Sequence, residues 1–209
     1  MSKSQNPMTG QMSGSMANFA TYKRFGKNII RSKAFEPKNA NTVSQKAQRA
    51  SFKLIVNAYE KFGGSNYIAF PKRREDQTPF NAFMATNLPE AINKTGETPV
   101  IDFSKLVVSS GTLPKVPVIS ATAGAAGITL NYKTNVKTPK ISANDEVIAC
   151  ALLKNGELAL ERSVRGSDAE NSILLEYPDI KAADVECCYV YVISEDGSNA
   201  SESTYVQVA

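Results

Sequence analysis

The residues able to do chemistry in this chain are three cysteines, a few acidic pairs and one compact basic run. Cys150, Cys187 and Cys188 are the thiols, and two of them are neighbours. Neighbours on a strand point to opposite faces, so they do not readily share one metal ion or pair with each other. Their spacing does not match the paired ligands of a zinc site. They are expected to be reduced, buried side chains. Asp145–Glu146 and Asp168 with Glu170 fall in turn-rich stretches, where acidic residues serve local hydrogen bonds. Acid–base catalysis would need such carboxylates to converge in a cleft. Histidine is absent, which removes Ser-His-Asp and Cys-His catalysis together with histidine-ligated metals. The glycines of "SATAGAAGITL" are followed by no lysine, and the lysine of "FGKN" lacks a phosphate-loop frame. "KRRED" at 72–76 is either a solvated loop or a contact for nucleic acid or an acidic partner. No catalytic, cofactor or metal constellation emerges, and a non-enzyme with no small-molecule substrate is expected.

The whole-chain charge distribution leads towards binding. Of 209 residues, 42% are hydrophobic and 21% charged, ordinary values for a soluble globular protein. No run approaches the roughly 18 apolar residues that span a membrane, and "MSKSQNPMTGQMSGSMANF" has no apolar core of the secretory kind. Synthesis in a cytoplasm and no membrane contact are expected. Residues 1–77 hold 14 Lys and Arg against 4 Asp and Glu, a balance of +10; residues 78–209 hold 10 against 16, a balance of −6. Such a two-ended chain suits DNA contact by its basic part, docking of one subunit's basic end on another's acidic end, or simply a solvated basic surface.

The elements that would position these residues divide the chain in three. Residues 1–16, rich in Ser, Met, Gly and Gln, have little to bury and read as an extended arm. Residues 17–110 read as a β-ribbon and helix domain. Phe19 and Tyr22, the turn-prone "FGKN" with Gly26 as left-handed residue, and "IIRS" form a hairpin decorated by Lys23, Arg24, Lys27, Arg31 and Lys33. In "TVSQKAQRASF", Thr42 and Gln45 form a capping box. Val43, Ala47, Ala50, Leu54, Ala58 and Phe62 then make one apolar stripe of a helix, and Phe52, Val56 and Tyr59 make a second. Lys46, Arg49, Lys53 and Lys61 fill much of the rest, and Gly63–Gly64 ends the helix. Two stripes require two partners: the hairpin and following segment, or another subunit. "QTPFNAFMATN" opens a second, short helix with Thr78 as cap and Pro79 at its first position. "TPVIDFSKLVVSSG" alternates and reads as a strand.

Residues 111–209 read as a β-sandwich. The spacing predicts strands at Val116–Ser120, Gly127–Tyr132, Val147–Leu153, Leu158–Arg162, Ile173–Tyr177, Val185–Ser194 and Ser203–Val208. Seven short strands in about 100 residues signal an immunoglobulin-like module that is large enough to fold alone. "EDGSNASES" joins the last two as a hairpin. Strand 185–194 is apolar on both faces, with Val185, Cys187, Tyr189, Tyr191 and Ile193 on one and Cys188, Val190 and Val192 on the other. A long loop, the first domain or a neighbouring subunit must therefore cover its second face.

This half resembles a fibronectin type III module. Tyr132 in "ITLNY" stands where that family usually carries tryptophan, and "YVYVISEDGSNASES" is similar to its final hairpin. The whole chain resembles an uncharacterised family of the Bacteroidota and their phages through "GQMSGSMANFATYKRFGKNIIRS", "NANTVSQKAQRASF", "NAFMATNLPEAI", "IDFSKLVVSSGTLP" and "DGSNASESTYV". Related "NP-x-T-x-x-Q" helix openings recur in tailed-phage structural proteins; here "NAN" replaces the Asn-Pro.

The expectation is an α+β protein, an N-terminal β-ribbon plus helices followed by an immunoglobulin/fibronectin type III-like β-sandwich. Its expected role is that of a non-enzymatic assembly subunit of a tailed-phage virion (ring, head–tail junction, tail or accessory protein), contacting copies of itself and other virion proteins. The candidate interface residues are Phe19, Tyr22, Arg24, Lys27, Arg31, Arg49, Phe52, Val56, Tyr59, Arg73 and Arg74. The alternatives are a cytoplasmic nucleic-acid-binding protein using the basic half and an adhesive module using the sandwich loops.

Overall fold

A two-residue turn organises the first of two units. The computed structural model describes residues 2–4, 14–16, 18–33, 41–63, 69–93, 98–134 and 140–209, and the chain divides into Met1–Thr42 and Val43–Ala209. In the first unit, β3 (Phe19–Arg24) and β4 (Lys27–Ser32) pair across Phe25–Gly26. These two residues have φ of 49° and 74°, the left-handed combination that lets a tight hairpin follow the strand twist. Gly26 adopts it without strain; Phe25 is the less usual occupant. β1 (Ser2–Ser4) pairs with β4 and β2 (Gly14–Met16) with β3, giving an antiparallel sheet of order β1-β4-β3-β2. Parts of the expected arm are thus the outer strands of the ribbon; its residues 5–13 lie outside the described residues. Among this unit's described residues, Ile29 is the one buried hydrophobic side chain.

The second unit is built on a strand pair. β9 (Glu146–Leu153) lies between β10 (Leu158–Val164) and β12 (Val185–Ile193), and β13 (Thr204–Val206) completes an antiparallel sheet of order β10-β9-β12-β13. β7 (Val118–Gly124), β8 (Gly127–Lys133) and β11 (Glu170–Glu176) form a second, of order β11-β8-β7. One core joins the two sheets: Val147, Ala149 and Ala151 of β9 and Cys188, Val190 and Val192 of β12 meet Ile128, Leu130, Tyr132, Ile173 and Leu175. On the opposite face, Ile148, Cys150, Leu152, Tyr189, Tyr191 and Ile193 meet α1 (Val43–Phe62) and α2 (Pro79–Glu90) in a second core. A small ladder, β5 (Ile92–Asn93) with β6 (Val100–Ile101), follows α2.

This arrangement explains the doubly apolar strand: the preceding helices cover its second face. The division expected at residue 110 accordingly falls inside one unit, because helices and strands share a core. A register shift between Val185 and Cys187 moves Val185 to the sheet–sheet side, away from the face its sequence spacing suggests.

Two other expectations are corrected. The core face of α1 is Ser51, Ile55, Ala58 and Phe62. Ser51 is tolerated there because its hydroxyl donates to Ala47 O at 2.9 Å. Leu54 is only half-buried and Val43 is 78% exposed, since the first two turns extend past the core. The strand expected from "TPVIDFSKLVVSSG" stops at Ile101. Asp102 Oδ1 accepts from both Ser104 N and Ser104 Oγ, and Lys105 N returns to Asp102 O at 3.1 Å, closing a turn. The segment beyond is held by side chains. Asn87 of α2 accepts from Val107 N at 2.7 Å and donates to Val107 O at 2.8 Å. Ser109 Oγ lies 3.0 Å from Ala69 O and 2.8 Å from Ser201 O. Gly111 passes so close to Ala200 that a methyl group there would collide with its carbonyl.

Two consequences are measurable. Ile55→Ala should destabilise the protein by about 2–5 kcal/mol, as for other fully buried aliphatics, while Leu54→Ala should cost clearly less; equal shifts in the denaturation midpoint would refute the helix phase. A fragment of residues 111–209 should expose the helix-facing side of β9 and β12, binding a hydrophobic dye and aggregating, whereas residues 43–209 should stay monodisperse and cooperative. A well-packed 111–209 fragment would show the helices to be dispensable.

Candidate functional site

The hairpin register sorts the first-unit candidates by face. Directly opposed residues share a face of an antiparallel pair, and the pairs are Ala20↔Arg31, Tyr22↔Ile29 and Arg24↔Lys27 on one side. Tyr22, Arg24, Lys27 and Arg31 therefore lie together, with the three cations exposed around Tyr22 and Ile29. Phe19 belongs to the other face, where Phe19↔Ser32 and Thr21↔Ile30 alternate, and is 52% exposed. The Arg24 guanidinium sits over the Phe25 ring at 5.4 Å from its centroid, a cation–π contact that steadies the turn. Residues 1–33 contain no Asp or Glu. This face is therefore a cationic surface with an aromatic centre, suited to a polyanion or an acidic protein surface.

The second-unit candidates separate into two kinds. Arg49 and Phe52 are exposed on α1, Phe52 at 47%. Val56 and Tyr59 pack on the helix–strand core, and Tyr59 meets Phe80 and Phe83 edge-on at 5.1 and 5.3 Å. The second stripe of α1 is thus largely occupied by α2 of the same chain. Arg73 is half-buried and Arg74 exposed beside the start of α2. Between α1 and β6 lies an apolar cleft of about 360 Å3, walled by Leu54, Ala58, Ile101, Phe103 and Leu152, with the Lys61–Glu186 ion pair (3.8 Å) on its polar side.

The chemically capable residues are otherwise engaged. Cys187 lies in the helix-side core and Cys188 in the sheet–sheet core, and all three thiols are buried and free. Burial pushes Cys187 and Cys188 up to about 12 and Cys150 well above its ordinary value, so none supplies a thiolate near neutrality. Asp145 and Glu146 diverge. Asp145 is buried, accepts from Ser142 N at 3.0 Å and lies 3.9 Å from the fully buried Arg165, while Glu146 pairs with Arg162 at 3.6 Å on the surface. Arg165 Nε donates to Thr134 O at 2.6 Å; sequence reading missed this buried cation because nothing around it is patterned. Tyr177 and Asn155 hold the Glu157 carboxyl low, and Ser194 and Ser198 hold Asp196 down to about 2; both are turn fasteners. Among the described residues, no three His, Cys, Asp or Glu side chains are grouped to hold a metal ion, and no helix is long and apolar enough to cross a membrane.

Among the described residues the chain is a mixed α+β protein, mostly strands in several antiparallel sheets with two helices, and residues 1–33 carry cations but no carboxylate. The chain belongs to the family of unknown function DUF6266, whose model matches residues 11–207. No curated protein and no solved structure matches it.

Thiol titration checks the cysteine assignment. In the native protein an aromatic disulfide reagent should leave the thiols essentially unreacted, and in denaturant it should count all 3; fast native labelling of any one would place it on the surface.

Proposed function

We propose that this protein is a non-enzymatic assembly subunit that joins neighbouring copies through its N-terminal sheet, within a tailed-phage virion of the Bacteroidota. The observation that carries this reading is the mismatch between the first unit's size and its interior. Four strands enclose one buried hydrophobic side chain among the described residues, and one face gathers Tyr22, Arg24, Lys27 and Arg31. Small sheets need an apolar face packed on something to be stable, and a carboxylate-free sheet attracts an acidic surface. The acidic balance of residues 78–209 supplies one on every copy; Glu170 and Glu176 stand exposed at the ends of β11. We read residues 111–209 as an immunoglobulin/fibronectin type III-like module, a reading supported by the orders β11-β8-β7 and β10-β9-β12-β13 and by the buried Tyr132. The sequence resemblance to phage structural proteins supports the virion as its location, with assembly beginning in the bacterial cytoplasm.

The same face also favours a second reading, nucleic-acid binding, because cations around an aromatic ring suit phosphates and bases. Light scattering separates the two. The full chain should assemble at low salt without nucleic acid, with moderate loss as salt screens the contact. Arg24→Glu/Lys27→Glu/Arg31→Glu should remain monomeric with an unchanged far-ultraviolet spectrum. A wild-type monomer that binds DNA, with affinity falling steeply as salt rises, would overturn the assembly reading in favour of the second.

A further inference from the structure

The loop from Phe70 to Gln77 lies beside α2 and leaves a pocket of about 270 Å3 whose charged wall is Lys72, Arg73 and Arg74. Arg73 is held by the backbone: its Nε donates to Gln77 O at 3.1 Å and its Nη1 to Phe70 O at 3.0 Å. These neutral acceptors orient the planar guanidinium without cancelling its charge, and they use only two of its five N–H donors. Lys72 Nζ donates to Thr112 Oγ1 at 3.0 Å, again a neutral partner. Arg74 faces Asp76 at 3.8 Å, both largely exposed, so that pairing is weak. Among the described residues, neither Lys72 nor Arg73 has a carboxylate within ion-pair distance, and Glu75 does not line the pocket. Three adjacent cations around a concavity repel one another, and an entering anion relieves that repulsion. Its attraction grows with its charge, which favours a dianion over a carboxylate. A guanidinium already fixed in orientation loses little freedom when an oxyanion meets its open edge.

We propose that this pocket is a binding site for a phosphate-class oxyanion, with the free edge of Arg73 orienting it and Lys72 and Arg74 balancing its charge. The site is built from residues of the second unit alone and does not depend on the assembly reading.

Thermal unfolding and calorimetry of the full chain with inorganic phosphate test it, against sodium chloride at matched ionic strength. Phosphate should stabilise the protein saturably at millimolar concentrations, in the manner of any ligand that binds the native state. Lys72→Gln/Arg74→Gln removes two exposed charges and should weaken phosphate at least about tenfold while the unliganded melting temperature holds. Arg73→Lys keeps the charge but loses the fork, and should weaken phosphate comparably; if that variant misfolds, the exposed pair still decides the matter. A nucleoside 5′-monophosphate and a short DNA duplex identify the source of the phosphate. Mononucleotide binding equal to that of phosphate assigns a free or terminal group; a duplex binding more tightly and weakened by the same variants assigns a backbone phosphate. A phosphate effect no larger than that of chloride, or saturable phosphate binding that survives both variants, overturns the proposal.

Discussion

Everything in the second unit depends on β9 and β12 being buried on both faces at once. Their eight-residue pairing register places one face against β7, β8 and β11 and the other against the helices. Such a pair contributes hydrophobic free energy twice, but neither face has a solvent-compatible alternative. Side-chain size follows this division. The sheet–sheet side takes Ala149, Ala151, Val190 and Val192, while the helix side takes Tyr189 and Tyr191. Tyr189 reaches across to Phe103 O at 2.7 Å and meets Phe62 edge-on at 5.7 Å. Its hydroxyl thereby keeps a partner in an apolar place, the condition for burying tyrosine.

The first unit follows the opposite logic. Its strands are fixed by a turn and a hydrogen-bonded ladder, and its described side chains form a surface more than an interior. The two stretches of the chain are thus built differently: the long stretch has two filled cores, the short one a charged face. Interfacial charge chiefly sets partner choice and encounter rate, while apolar packing sets persistence. A cationic sheet carrying the half-buried Tyr22 presents charge beside an aromatic ring on one small face.

Much of this was legible in the sequence, and the failures have identifiable causes. All seven strands of 118–206 announced themselves because alternation or unbroken apolarity survives in short runs bounded by Gly, Asp and Asn. The two helices were legible from Thr78, Pro79 and Gly63. The phase of α1 was not, because "LIV" at 54–56 puts an apolar residue at every step and leaves the core stripe to be chosen by tertiary contact. The strand expected beyond Ile101 failed because one Asp side chain captured the backbone first, the competition that favours turns over ladders. At the candidate surface, the cations were visible as residue types. That three of them and an aromatic ring would share one face depended on the two-residue length of the Phe25–Gly26 turn, which fixes register. The basic run at Lys72–Arg74 was visible in the sequence, but its pocket was not, since the orientation of Arg73 comes from the Phe70 and Gln77 carbonyls.

Chain order favours this arrangement during synthesis. A strand that is apolar on both faces is an aggregation hazard while it waits for cover. Here α1 and α2 precede β9 and β12 in the chain, so during N-to-C synthesis the cover for one face is already made when the strands emerge. β7 and β8, which supply much of the other cover, also precede β9. The late element is β13, whose approach is secured by polar contacts: Ser203 Oγ accepts from Val108 N at 2.9 Å, and Ser201 Oγ accepts from Val192 N at 2.9 Å. Ser109 ties that same strand end to Ala69. The segment between the helices and the two larger sheets of the second unit, irregular as it is, therefore serves as the clamp that fixes the two cores on one strand pair. A boundary drawn through residue 110 would cut through that clamp.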